Sequence, residues 1–157
     1  MSETPKSLDH PTFAVVKGAF PDRRLRGSEF RGQGVLVVEP GDLHEVLALL
    51  KNNEDCGYNF LSDVIGIDYL EYPTPTPGRF AVVYNLVSFA HERRFYVKTH
   101  LDPSVSTLGI EEDPALVLDS VTDLWPGAEW PEREVFDMFG IRFRNHPDLR
   151  RILTWKD

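Results

Sequence analysis

The sequence contains a single cysteine, Cys56, among its 157 residues. One thiol cannot form a disulfide within the chain, and alone it cannot build a structural zinc site or hold an iron–sulfur cluster. Reactive thiols sit beside groups that lower the thiol pKa, and nothing near Cys56 in the sequence marks it in that way. We therefore expect Cys56 to be a buried, inert thiol.

Long apolar runs are also missing. No run approaches the ~18 residues that a helix needs to cross a bilayer. The first residues, Met-Ser-Glu-Thr-Pro-Lys-Ser, contain no apolar signal core, and residues 1–9 are expected to be disordered. If the protein works at a membrane, another protein must hold it there.

Positive charge is scarce. The 17 lysines and arginines are outnumbered by 25 acidic residues, which gives a net charge of −8. This balance argues against free nucleic acid as a partner, because phosphate binding needs a basic surface. A local basic patch could still pair with an acidic protein.

The hydrophobic pattern predicts an α+β fold, a mixed β-sheet of about four strands with helices packed on it, followed by a C-terminal helix and an extended tail. The second predicted helix begins at Asp42, a good N-cap, and Glu45 follows three residues later as in a capping box. One predicted strand is apolar on both alternations, which indicates a central strand covered on both faces. The predicted helices are 11–19 and 42–52, and the predicted strands are 35–39, 64–70, 79–89 and 93–101.

The chain is expected to form one α/β domain over residues 35–145, preceded by a tail and short helix over 1–34. An extended docking segment is expected over 146–157. The proline-rich stretch 72–78 should be a stiff surface loop, because proline fixes φ and removes a hydrogen-bond donor. The short link 90–92 should join its flanking strands as a hairpin.

Phosphate binding and nucleophilic catalysis find little support in the residues. The glycines at 32 and 34 precede a strand, whereas phosphate-binding loops follow a strand and open a helix. The histidines, among them His91 and His100, could serve as acid–base groups. However, no serine or cysteine has a recognisable activating partner.

Metal binding is the remaining chemical alternative. Glu132, Glu134 and Asp137, with His146 nearby, could form an oxygen-rich site. The simpler interpretation places Glu132 and Glu134 in the first helical turn after Pro131, where acids favour the helix dipole.

The stretch from Trp130 to Leu153 alternates charged and aromatic residues and suits docking better than exposure to water. A helix-like block over 132–139 ends at Gly140, which we expect to stop the helix by adopting a positive φ. Apolar anchors and planar arginine donors are typical of interfaces, although parts of the block could pack on their own domain. The anchors are Phe136, Met138, Phe139, Ile141 and Phe143, and the donors are Arg142, Arg144, Arg150 and Arg151.

These residues resemble the bacterial type of the C-subunit family of respiratory complex I, the proton-pumping NADH:quinone oxidoreductase. Weaker resemblance extends upstream to about Val35. Family members usually continue further, whereas this sequence ends at Asp157, so a naturally short chain and a fragment both stay open. The family's hallmark reads here as Glu132-Arg133-Glu134-Val135-Phe136-Asp137-Met138-Phe139-Gly140-Ile141, then His146-Pro147-Asp148-Leu149-Arg150-Arg151-Ile152-Leu153.

The resemblance implies a peripheral-arm subunit that binds no cofactor itself, in a complex that uses NADH, FMN, iron–sulfur clusters and quinone. It would brace and assemble the quinone-reducing module on the cytoplasmic side of the cell membrane. Its main partner would be the homologue of the complex's D subunit, with the B and I subunits nearby. Enzyme activity would belong to the complex, and none is expected of the isolated chain.

The expected site residues are therefore contacts and not catalytic groups. A polar network should fix the motif helix, two aromatic residues should anchor it, and the tail should supply further partner contacts. Three alternatives stay open. One is a subunit of a related membrane-bound hydrogenase or F420 dehydrogenase. The others are a stand-alone hydrolase or metalloenzyme that uses Glu132, Glu134 and Asp137, and a free-standing adaptor for an unrelated acidic protein. The expected contacts are Glu132, Arg133, Glu134, Phe136, Asp137, Phe139, Gly140, His146, Pro147, Asp148, Arg150 and Arg151.

Overall fold

The computed structural model describes residues 10–30, 33–104 and 113–150. The predicted disorder of residues 1–9 and the tail from Arg151 onward lie outside these ranges. None of the described helices is long and apolar enough to cross a membrane. The elements in chain order are α1 (Pro11–Ala19), β1 (Leu25–Phe30), β2 (Gln33–Val38), α2 (Leu43–Asn52), β3 (Phe60–Asp68), β4 (Phe80–Ser88), β5 (Arg93–Leu101), β6 (Val117–Asp119), α3 (Glu129–Phe139) and β7 (Arg142–Arg144), with 3₁₀ turns at Pro40–Asp42 and Pro126–Ala128.

Five strands form one mixed sheet in the order β1-β2-β5-β4-β3. The β2–β5 pair is parallel, and the other three pairs are antiparallel. A separate two-stranded parallel pair, β6 with β7, lies near α3 in the chain. The predicted α+β fold with a mixed sheet is confirmed, as are the two helices and the β4–β5 hairpin.

One strand of the main sheet was not predicted. β1 carries the sequence Leu-Arg-Gly-Ser-Glu-Phe, which lacks the apolar alternation of a half-buried strand. Leu25 is half-buried and Arg26 to Glu29 are exposed. β1 is an edge strand that is held by backbone pairing with β2. Because its side chains contribute little to the core, its sequence lacks the hydrophobic alternation that would have predicted a strand.

The core lies on one face of the sheet. In register, Leu36, Val97 and Tyr84 stand side by side across β2, β5 and β4, and all three are buried. Buried apolar residues of α1, α2 and α3 join this face in a single cluster, which includes Phe13, Leu47 and Val135 among others. All three helices therefore contribute to the same layer.

The opposite face of β4 carries no helix among the described residues. Val83 and Val87 on that face are half-buried, and the neighbouring Ile65 of β3 is 43% exposed. On the same face Ala81 is 0% exposed and Asn85 is 9% exposed, so the predicted central strand is confirmed and no residue of β4 is exposed, although no described helix covers its second face. A sheet strand can be apolar on both alternations when its second face packs only against neighbouring side chains.

The predicted capping box of α2 does not form. Asp42 makes no side-chain hydrogen bond to the helix backbone. Its carboxylate instead accepts a hydrogen bond from Arg23, and Arg23 Nη2 also donates to Glu45 Oε2 at 3.1 Å. The two acids act together in binding an arginine that the sequence places 19 residues before Asp42.

The close contact between α3 and β3 yields a prediction. A Cβ added at Gly66 would lie 2.4 Å from Phe139 Cε2, so the phenyl ring must move. We expect Gly66→Ala to lower the free energy of unfolding by ~1–3 kcal/mol, measured by urea denaturation. Gly127→Ala is the matched control, because a Cβ there meets nothing within 4 Å. Equal stability of the two variants would contradict the contact.

Candidate interaction site on the α3 motif

α3 begins nearly one turn earlier than predicted. It runs from Glu129 to Phe139 and follows a 3₁₀ turn, which places Pro131 inside its first turn, where the missing N–H costs nothing. Gly140 ends the helix at φ 72°, and its N–H donates to the carbonyl oxygen of Phe136 at 2.9 Å. The predicted left-handed glycine stop is confirmed.

Phe139 anchors α3 on the sheet. Its ring lies edge-on to the ring of Phe80, with the centroids 5.9 Å apart, and it covers Gly66. Ile141 and Phe143, just beyond the helix, are buried in the same core. Of the predicted apolar anchors, these three therefore pack on their own domain.

Glu132 is fully buried, with 0% of its surface exposed. Its Oε1 accepts hydrogen bonds from Ser120 Oγ at 2.8 Å and from the Val121 N–H at 3.0 Å. These bonds tie α3 to the end of β6. Burial raises the pKa of Glu132 to about 7, although both hydrogen bonds act in the opposite direction.

Glu132 also acts on Tyr84 of the sheet. Neither Glu132 Oε2 nor Tyr84 Oη has a hydrogen-bond partner among the described residues, and both atoms are buried. Burial, and then the negative charge of Glu132, raises the pKa of Tyr84 well above its usual value. A neutral carboxyl group suits this apolar setting better than a carboxylate does.

Arg133 holds the segment that follows β7 against the helix. Its Nε donates to the carbonyl oxygen of Arg150 at 3.0 Å. Its guanidinium lies over the ring of Trp130, 4.8 Å from the centroid, and the side chain is buried. This planar stack with a directed donor is a geometry that arginine provides and lysine does not.

His146 makes a second link between this segment and α3. Its Nδ1 accepts from the Asp148 N–H at 2.9 Å, so the proton of the neutral ring lies on Nε2. Nε2 then donates to the carbonyl oxygen of Glu129 at 2.9 Å. Arg150 Nη2 bonds Asp148 Oδ2 at 2.6 Å, and this bond holds the pKa of Asp148 below its usual range.

The outward side of α3 carries three residues at helical spacing, Trp130, Glu134 and Met138. Trp130 and Met138 are each 60% exposed. We call these three residues the outer stripe. Phe136 and Asp137 are half-buried beside it, Pro147 is exposed, and Arg151 lies outside the described residues.

The acidic residues considered as a metal or hydrolase site do not converge. Glu132 is inside the protein, whereas Glu134 is exposed on the outer stripe. Within the described ranges, no group of three histidine, cysteine, aspartate or glutamate side chains is arranged to hold a metal ion. The residues linked to Glu132, namely Ser120, Val121 and Tyr84, were not anticipated, since nothing in their local sequence marks them.

The sequence profile of one family, described as the respiratory-chain NADH dehydrogenase 30 Kd subunit, matches residues 36–157. The chain belongs to this family. The match includes α3 and its hallmark residues, so the family that the motif resembled is confirmed. α1 and β1 lie before the matched region of this 30 Kd subunit family.

Relatives named as subunits of NADH-quinone oxidoreductase match much of the chain. The C subunit of Roseiflexus castenholzii is 41% identical over 152 residues, which cover 96% of this chain and 79% of the relative. The relative named subunit 5 of Thermus thermophilus is 51% identical over 106 residues. That alignment covers 64% of this chain and 46% of the Thermus protein, so the matched part spans about half of that relative.

Two solved structures share the fold. A trypsin-resistant fragment of Nqo5 superposes with a TM-score of 0.68 at 34% identity, covering 87% of this chain and 97% of the fragment. The membrane-bound sulfane sulfur reductase, an archaeal respiratory membrane complex, contains a chain with the same TM-score at 20% identity. Coverage there is 94% of this chain and 79% of that chain, and the likeness shows the fold alone.

The burial of Glu132 predicts a pH dependence of stability. The raised pKa means that the folded state binds more protons than the unfolded state between pH 4.5 and about 7. The contribution of the protonated Glu132 to the free energy of unfolding is therefore fully present below pH 4.5. It is lost as the pH rises through about 7.

We expect Glu132→Gln, which stays neutral, to flatten this part of the curve of unfolding free energy against pH. Glu134→Gln, on the exposed side of α3, should keep the wild-type slope. Urea denaturation across the same pH range checks both, and an unchanged slope in Glu132→Gln would contradict a neutral buried carboxyl group.

The stack of Arg133 on Trp130 predicts a local effect. Arg133→Lys should loosen residues 146–150, because lysine lacks the planar Nε donor to Arg150. We expect faster hydrogen exchange at the amides of Asp148 and Arg150. Arg144→Lys, whose arginine is exposed and paired with Asp119, should leave these rates unchanged. Equal rates in wild type and Arg133→Lys would show that Arg133 does not hold the segment.

Proposed function

We propose that the chain is a non-redox, peripheral-arm subunit of a proton-translocating NADH:quinone oxidoreductase. Its role is to brace and assemble the quinone-reducing module on the cytoplasmic side of the membrane. The match of residues 36–157 to the 30 Kd subunit family carries this proposal. The activity belongs to the complex, and the isolated chain contributes structure.

The state of the single thiol supports a non-redox role. Cys56 is 1% exposed, and burial raises the pKa of its thiol. The reactive thiolate is therefore disfavoured. A chain with this one cysteine supplies no ligand set for an iron–sulfur cluster of its own.

The outer stripe supports a bracing role. Two large apolar side chains, Trp130 and Met138, stand exposed on a helix that is fixed from beneath by Glu132 and Phe139. A rigid helix that presents exposed aromatic and thioether groups is suited to burial under another protein. We propose the homologue of the D subunit as the main partner, with the B and I subunits nearby.

The relatives support NADH as the electron donor of the complex. Those with the highest identities described above are named as subunits of NADH-quinone oxidoreductase. The sulfane sulfur reductase chain is only 20% identical and shares the fold alone. This likeness gives no support for a sulfur-reducing complex. We therefore propose the NADH:quinone complex over related membrane-bound hydrogenases and F420 dehydrogenases.

Assembly can be tested by affinity purification of the native protein from membranes solubilised in mild detergent. We expect a homologue of the D subunit to co-purify. Arg150→Ala with Arg151→Ala should weaken its recovery, because an interfacial carboxylate left without its arginine costs ~2–5 kcal/mol. The fold should survive, since the Arg150 side chain is 67% exposed and its carbonyl oxygen, which Arg133 binds, is retained.

Lys17→Ala with Lys51→Ala is the matched control, because it removes two positive charges from α1 and α2. The control should assemble normally. Absence of every complex I subunit from the wild-type eluate would refute the proposed function. Normal assembly of the arginine double variant would refute the role of the tail alone.

A further inference from the structure

The face of the main sheet opposite the three described helices has no role in the α3 motif or in the core cluster. We call it the open face. By register it contains one row formed by Val37, Lys98, Val83 and Ile65, and a second formed by Val35, Tyr96, Asn85 and Asp63. Within the described ranges, none of the residues in these rows belongs to the core cluster.

One half of the open face is apolar. Phe60 and Phe89 lie at the start of β3 and just after β4, and their rings are 5.5 Å apart. Phe60 is 46% exposed and Phe89 is 62% exposed. Ile65 is exposed further along β3 on the same face, beyond Asp63. An exposed pair of aromatic rings on a face that carries another exposed apolar residue is typical of protein interfaces.

A groove runs across the middle of the open face, lined by Gln33, Val35, Val83, Tyr96 and Lys98. Lys98 is held there by Tyr69, since its Nζ donates to the tyrosine hydroxyl and lies 4.9 Å from the ring centroid. The ammonium group therefore has a fixed position. A fixed charge beside an apolar groove loses less side-chain entropy when a partner pairs with it.

The other half of the open face is positive. Arg26 of β1, Arg94 of β5 and Lys98 all occupy this side by register, and Arg26 and Arg94 are exposed. At the paired positions within the described strands, Asp63 is the single acidic residue, and its Oδ1 accepts a hydrogen bond from the Val64 N–H. His100 nearby is neutral at pH 7, because burial, Lys98 and Arg26 lower its pKa to about 4.

This sign is opposite to that of the whole chain, which has a net charge of −8. A face that is apolar at the β3 edge and positive from β5 to β1, on an acidic protein, is complementary to a surface with an apolar half and an acidic half. Such complementarity directs association and fixes the orientation of the partner. A second copy of an acidic chain would bring the same positive face to a symmetric contact, which like charges oppose.

We propose that the open face docks a neighbouring protein of the same assembly, through a surface on that neighbour that has an apolar half and an acidic half. Phe60, Phe89 and Ile65 contact the apolar half of that surface, and Arg26, Arg94 and Lys98 face its acids. This inference rests on the proposed function and adds a second docking surface to the outer stripe of α3. The two surfaces lie on different sides of the domain, so the chain would sit between two neighbours.

The first test is charge reversal. Arg94→Glu with Lys98→Glu should reduce the recovery of the complex in affinity purification by about ten-fold or more, because like charges across an interface repel. Raising the salt concentration should weaken recovery with the wild type and narrow its difference from the variant. Lys17→Glu with Lys51→Glu makes the same change in net charge on the helices and should assemble normally. Circular dichroism and thermal unfolding check that both variants fold.

The second test uses the wild-type chain and needs no substitution. Hydroxyl-radical footprinting compares Phe60 and Phe89 in the purified complex and in the free chain. We expect both side chains to be protected in the complex, whereas Leu70, which is 65% exposed in the loop after β3, serves as the reference. Equal labelling of Phe60 and Phe89 in the two states would overturn the proposal.

The outcomes separate this inference from the proposed function. If the wild-type chain recovers no complex I subunit, the proposed function fails. If the wild-type chain recovers complex I subunits and the charge-reversed variant recovers them equally well, the open-face proposal alone fails. If the reversal changes only self-association of the free chain, the open face is an interface between copies, and the proposal is overturned.

Discussion

The buried carboxyl group of Glu132 is the contact through which α3 is tied to the rest of the domain. One oxygen accepts hydrogen bonds from the Ser120 hydroxyl and the Val121 N–H, and the other is buried without a hydrogen-bond partner among the described residues. A carboxyl group in this setting tolerates few alternative helix positions, because each would leave these donors unpaired. Phe139 over Gly66 fixes the other end of the helix. Everything that α3 presents outward is oriented by these two contacts.

Much of the architecture was predictable because its signals are local. The apolar spacing of α2, the alternation of β5 and the left-handed stop at Gly140 each depend on neighbouring residues only, and all three were predicted correctly. β1 was missed because its side chains are exposed and its place is set by pairing with β2. Asp42 occupies the N-cap position as predicted, but the capping bond does not form, because a distant arginine, Arg23, binds the carboxylate. Long-range polar partners leave no periodic trace in a sequence.

The motif shows the same division between local and distant signals. Its residue types and spacing were sufficient to predict the family, which the profile match confirms. They were insufficient to separate interior from exterior residues. Charge ordinarily indicates exposure, yet Glu132 and Arg133 are buried, whereas the apolar Met138 is exposed. The reason lies in Ser120 and the Arg150 carbonyl group, which the fold brings to these side chains.

The parallel pairing of β2 with β5 has a consequence for how the chain folds. The two strands meet across a large separation in sequence, as in the bond from Thr99 Oγ1 to the Val38 carbonyl oxygen, which joins residues 61 positions apart. Closing so large a loop slows folding relative to the formation of local hairpins. During synthesis, β1 and β2 can pair early, but one edge of β2 stays open until β5 has left the ribosome. Until then, the unpaired edge of β2 can pair with strands of other chains. A nascent chain of this topology is therefore exposed to aggregation, against which a chaperone would protect it.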